Sequence, residues 1–113
     1  MKTYTIHSAF KTKYSLAPIG VTLQCGRYPH DRTQKYIMIL DRENQEPLAT
    51  ASVMLEGEQQ SNDEIFIKNW SENEGILTEL ILHKIVARPH GTLPAGYTIA
   101  NVCRILIPLE LFD

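Results

Sequence analysis

Only one stretch of this chain carries a helical signature, and almost everything else alternates at the period of a strand. In Ser71-Glu72-Asn73-Glu74 a serine and a glutamate three residues on stand where a reciprocal capping box would place them. Glu72 and Glu74 also lie where the positive end of a helix dipole favours negative charge. Ile76, Leu77, Leu80 and Ile81 then form one apolar face, and His83 and Lys84 put cations at the far end. The spacing predicts a helix over about 72–84. Trp70 stands at N′, but its staple partner at N4 is Gly75, so the indole must pack elsewhere. A glycine inside a helix costs about 1 kcal/mol against alanine, which points to close approach of a neighbouring backbone or ligand at Gly75.

Around that helix the pattern has period two. Tyr4 and Ile6 suggest a first strand, and residues 10–16 are less regular. Val21, Leu23 and Cys25 alternate with Thr22 and Gln24 in a half-buried strand. Gly26-Arg27-Tyr28-Pro29-His30-Asp31-Arg32 looks like an exposed loop. Tyr36-Ile37-Met38-Ile39-Leu40, apolar throughout, reads as a central strand covered on both faces. The polar connection 41–47 leads to residues 48–55 as the second arm of an antiparallel hairpin. Residues 65–68 and 102–107 complete the strand candidates, while Pro89, Gly91, Pro94 and Gly96 punctuate a turn region between them. The expected architecture is one α+β domain over 1–113. Its antiparallel or mixed sheet has five or six strands, with the helix packed on one face.

Composition narrows the function classes. With 113 residues, 43 % apolar and 21 % charged, the chain has room for one core and is neither disordered nor fibrous. No apolar run approaches the roughly 18 residues of a membrane span. The start, Met1 to His7, has a lysine but no apolar segment after it, so a cytoplasmic location is expected. Charge is uneven: Lys2, Lys11, Lys13, Arg27, Arg32 and Lys35 face Asp31 alone in residues 1–40, and the acidic excess of the remainder brings the net charge to −2. Cys25 and Cys103 read as reduced core residues.

Phe66-Ile67-Lys68-Asn69-Trp70-Ser71-Glu72-Asn73-Glu74-Gly75-Ile76-Leu77, then residues 91–97 and Val102-Cys103-Arg104, resemble a family of small uncharacterised proteins of phages, plasmids and other mobile elements. The likeness covers about residues 35–107, and Trp-Ser-Glu-Asn-Glu-Gly is its most specific part. The resemblance implies a mobile-element accessory protein that interferes with a host process. It carries over no catalytic residue.

Motifs for common chemistries are absent: there is no GxGxxG, P-loop or HExxH. Cys25 and His30 are the only short ligand spacing, too little for a closed zinc site, so no metal and no cofactor is expected. No local signature joins a nucleophile to a base, and the chain reads as a non-enzyme. Nucleic-acid binding is one alternative, because Tyr14, Tyr28 and Tyr36 are interleaved with Lys11, Lys13, Arg27, Arg32 and Lys35. Capture of a nucleotide-like ligand is another, with Trp70 or Tyr97 stacking, Arg88 on phosphate and the Ser71 helix start as anion site. The leading expectation is a protein that binds and modulates or inhibits a host protein, for instance in anti-defence. Its candidate contact residues are Arg27, Tyr28, His30 and Arg32 in one loop, with Trp70, Arg88 and Tyr97 as a second surface. Either a monomer or a homodimer through an edge strand is compatible with such a sheet.

Overall fold

The computed structural model describes residues 2–13 and 18–113. Strands β1 (Lys2–Phe10), β2 (Ile19–Tyr28), β3 (Asp31–Asp41) and β4 (Pro47–Thr50) follow one another as an antiparallel meander. Leu23 sits opposite Tyr4 on one side and Ile39 on the other. Ile6, Val21, Leu23 and Cys25 join the main core at the expected period of two. Ile37 and Ile39 join it too, while Tyr36 and Met38 on the other face of β3 are only half-buried, so that strand is not covered on both faces along its length.

A second antiparallel sheet has the order β5 (Glu64–Ile67), β7 (Thr98–Arg104), β6 (Gly91–Ala95). The expected single sheet of five or six strands is therefore corrected to seven strands in two sheets among the described residues. Segment 51–53 joins them. The Ala51 N–H donates to the Ile37 carbonyl at 2.8 Å, the Val53 N–H donates to the Phe66 carbonyl at 3.0 Å, and Ser52 bridges Ile67. Both sheets thus wrap one core, to which Ile65, Ile67 and Cys103 contribute from the second. The region expected to be turns is strand β6, and β7 begins at Thr98 rather than Val102. Pro94 looked like a breaker, yet β6 is the edge of its sheet, where a proline is tolerated.

The helix is shorter than its signature. A 3-10 turn over Ser71–Asn73 precedes α1 (Ile76–Leu82), so the expected start at 72 is wrong by one turn. The capping box does not form, because Ser71 adopts φ 57° instead of the extended conformation of an N-cap. Tertiary demand overrides the local signal. Asn73 is pulled into the interior, where its Nδ2 donates to the Thr50 carbonyl at 2.6 Å and to the Lys68 carbonyl at 3.1 Å. Glu74 pairs instead with Lys13 at 3.3 Å. Gly75 is the true N-cap at φ 91°, and a Cβ there would meet nothing within 4 Å. Its role is the left-handed backbone that reorients the chain, not the close approach expected. Asn69 supplies the missing cap, its Oδ1 accepting from the Leu77 N–H at 2.9 Å.

At the other end Lys84 takes φ 58°, the Lys84 N–H donates to the Ile81 carbonyl and the Ile85 N–H to the Leu80 carbonyl. This is a Schellman closure, and it stops the helix close to the predicted end. Ile76 and Leu80 are buried in the main core with Leu77 and Ile81 packed against it, each full burial stabilising the fold by about 1.5–3 kcal/mol.

Candidate functional site

The first candidate surface turns out to be mostly structural. Residues 26–32 are not a loop: β2 continues to Tyr28 and β3 resumes at Asp31, leaving Pro29 and His30 as the turn. Arg27 lies opposite Lys35, on the parity of the core-facing Cys25 and Ile37. Its Nη1 donates to the Arg32 carbonyl at 2.9 Å and its Nη2 lies 3.7 Å from the Asp113 carboxylate. Tyr28 is half-buried, with its hydroxyl 2.9 Å from Ser52 Oγ and its ring edge-on to Tyr36 at 5.7 Å. Tyr36 in turn lies across Gly26, where a Cβ would come within 2.7 Å of the ring. His30 and Arg32 alone of the four are exposed.

Behind this hairpin, Gln34 and Lys35 hold the connection between β4 and β5. Gln34 Nε2 donates to the Leu55 and Glu58 carbonyls at 2.6 and 3.0 Å, and its Oε1 accepts the Leu55 N–H. Lys35 is only 1 % exposed. Its Nζ donates to the Ser61 and Glu64 carbonyls, both at 3.0 Å, and to Gln60 Oε1 at 3.3 Å. Burial pushes this amine down to about 8, and the neighbouring Arg27 charge acts in the same direction.

Parity also separates the groups a nucleic-acid surface would need together. Tyr28 and Tyr36 pair on one face while Arg27 and Lys35 turn to the other. The Lys13 ammonium pairs with Glu74 just before α1, and the Lys11 N–H donates to Glu79 within it. Tyr14 lies outside the described residues.

The second candidate surface is different. Trp70 packs with Val53, Leu55, Leu93 and Ala95 over Phe66, Ala100 and Val102, with Lys68 Nζ 5.7 Å from its ring centroid. It therefore does find another partner than the absent staple. Tyr97 sits in the two-residue turn between β6 and β7, where Gly96 at φ 65° gives the positive φ of a primed hairpin turn. Its side chain is wholly in solvent at 112 % relative exposure, and Ile99 nearby is 53 % exposed. Arg88 is exposed before the start of β6, at the opposite end of that strand from Tyr97. With Ser71 outside α1, the set expected to capture a nucleotide is not brought together.

Cys25 and Cys103 are buried and unpaired, and desolvation pushes both thiols up to about 12. Among the described residues no three His, Cys, Asp or Glu side chains gather as a metal site. No helix among the described residues is long and apolar enough to cross a membrane. Comparison with protein-family models, curated proteins and solved structures finds no match. The site therefore rests on the geometry of this chain.

One cluster escaped the sequence reading. Ser8 Oγ lies 3.1 Å from His83 Nδ1, and His83 Nε2 lies 3.9 Å from Glu79 Oε1. Two signals pointed to it: Ser8 interrupts the inward parity of Tyr4, Ile6 and Phe10, and Glu79 and His83 are four apart on a helix.

Proposed function

We propose that this is a small cytoplasmic accessory protein of a phage or other mobile element that binds a host protein through the β6–β7 hairpin and alters its action. The observation that carries the reading is the Tyr97 side chain, displayed wholly in solvent at the tip of a hairpin, with Ile99 exposed two residues on. Tyrosine offers a large, rigid contact area at low entropic cost, and it is enriched where binding energy concentrates. The occupant it fits is a protein with an apolar recess able to take an aromatic side chain. The resemblance of the Trp-Ser-Glu-Asn-Glu-Gly run supports a host protein as that occupant.

A photo-crosslinking residue placed at position 97, and separately at position 32, tests this in bacterial lysate. One host protein captured from position 97 but not from 32 is the expected result. Tyr97→Ala with Ile99→Ser should weaken the purified complex at least about tenfold. Unchanged affinity of the double variant overturns the hairpin as the contact. Crosslinks only to a second copy of the chain would replace the host protein by a homodimer.

A further inference from the structure

We propose that Ser8 and His83 form a nucleophile–base pair that hydrolyses short acyl esters in the depression between β1 and His83 at the end of α1. The inference is independent of the hairpin reading, since it uses another part of the molecule.

Four observations converge. Between Ile6, opposite Val21, and Phe10, opposite Ile19, the register slips, so His7, Ser8 and Ala9 face the single residue Gly20. Such bulges re-aim side chains, and β1 is the open edge of its sheet. Ser8 is exposed, with its Oγ 3.1 Å from His83 Nδ1, within the reach a general base requires. The imidazole is fixed: its side chain is 9 % exposed and its ring stacks on Phe10 at 5.3 Å and 28°. If Nδ1 accepts the serine proton, Nε2 carries the other and points to the Glu79 carboxylate 3.9 Å away. That Nε2 is buried and has no hydrogen-bond partner. A buried unsatisfied group calls for an explanation, and a base that tightens onto its carboxylate when it becomes charged is one. Glu79 Oε1 is held in place by the Lys11 N–H at 2.7 Å.

Beside the pair lies an open depression of about 340 Å³, lined by Tyr4, Thr5, Ile6, His7, Ser8 and His83. It has room for a short acyl group over Ser8. In the reaction Ser8 Oγ adds to the ester carbonyl carbon as its proton passes to His83 Nδ1. The carbon–oxygen bond to the alcohol then breaks, and the alcohol leaves with that proton. Water adds to the acyl-serine, giving a proton to His83, and the acid departs as Ser8 Oγ is reprotonated.

The test uses 4-nitrophenyl acetate and a fluorophosphonate label on the whole protein. Expected are an adduct mapped to Ser8 and release of 4-nitrophenolate, with Ser8→Ala losing about 100-fold or more of the rate above buffer. Because Ser8 is exposed, that variant keeps the fold, checked by circular dichroism. His83→Ala should lose the same turnover. Should His83→Ala unfold by loss of the Phe10 stack, the Ser8 result still decides. Equal rates for wild type and Ser8→Ala, or adducts confined to lysines, overturn the proposal.

Discussion

Both hairpin tips carry a tyrosine, and they differ in what they do with it. Arg27, Tyr28, His30 and Arg32 surround the β2–β3 turn, and Tyr97 tops the β6–β7 turn. At the first tip Tyr28 and Arg27 are taken up by Ser52, Tyr36, Asp113 and a backbone carbonyl. At the second, Tyr97 is wholly exposed. Richness in Tyr and Arg therefore does not mark a contact surface by itself. What separates the two is strand parity and whether a distant segment arrives to meet the side chain, as Ser52 and Asp113 do.

The largest effect that would break this contrast belongs to Lys35, behind the first hairpin. Lys35→Met removes the ammonium from the Ser61 and Glu64 carbonyls and from Gln60 Oε1, leaving the Ser61 carbonyl only the Glu64 N–H and Gln60 Oε1 only the residue-35 N–H. Stability should fall by about 3 kcal/mol, read as a lower urea midpoint, with faster amide exchange across residues 55–64. The pH dependence has a definite sign. The folded amine titrates at about 8 against 10.5 for the free side chain, so through that window the unfolded chain binds more protons. Wild-type stability should rise with pH there relative to Lys35→Met. A variant of unchanged stability would show that the β4–β5 connection is held by Gln34 alone.

Next in size is the direct comparison of tyrosines. Tyr28→Ala should cost about 2 kcal/mol through lost ring packing and the Ser52 hydrogen bond, and Tyr28→Phe about 1. Tyr97→Ala should stay within about 0.5 kcal/mol in thermal unfolding. Equal losses at both positions would mean that Tyr97 is also structural and would remove it from the interaction surface.

How far this could be read from the sequence follows from the range of the forces. The alternation Val21-Leu23-Cys25 was legible because period two is a local property, whereas the unbroken apolar run 36–40 hid that Ile37 and Ile39 face the core and Tyr36 and Met38 are only half-buried. The Leu80 end of α1 was legible for the same reason. The Ser71 capping box failed because Asn73 finds its carbonyl partners at Thr50 and Lys68, and Thr50 lies 23 residues away. The division into two sheets depends on segment 51–53 bonding both Ile37 and Phe66, and no local pattern announces which strands a short edge segment will bridge. Of the candidate site, Trp70 and Tyr97 were named for their ring chemistry, but their surroundings were not foreseeable. The Ser8–His83 pair was missed because its two members are 75 residues apart, and the local Glu79–His83 spacing does not reveal that Ser8 arrives beside it.

Two glycines sharpen the comparison at a smaller scale, about 1 kcal/mol each when replaced by alanine, for opposite reasons. At Gly26 the added Cβ would meet the Tyr36 ring at 2.7 Å; at Gly96 it would meet nothing within 4 Å, and φ 65° alone opposes it. Gly26→Ala should therefore change tyrosine fluorescence by shifting Tyr36, while Gly96→Ala should slow folding of its hairpin without moving any ring. A common fluorescence change would contradict the packing assigned to Tyr36.

The smallest effect is a local one in acid. Thr33, through its hydroxyl at 2.6 Å and its N–H at 3.1 Å, holds the Asp31 carboxyl below its ordinary value of 3.8, and Gln34 Nε2 adds a weaker pull. A carboxyl lowered in the folded state contributes stability above its unfolded value and loses it as pH falls through the folded value. Nothing between Leu93 and Ile99 bears a carboxylate. On titration from about pH 5 to about pH 2, amide resonances of Thr33 and Gln34 should move toward random-coil positions while those of Gly96 and Tyr97 hold. Asp31→Asn should flatten the first response and leave the second as it was. Joint movement of both tips would show that they melt as one unit, and the independence on which their contrast depends would be lost.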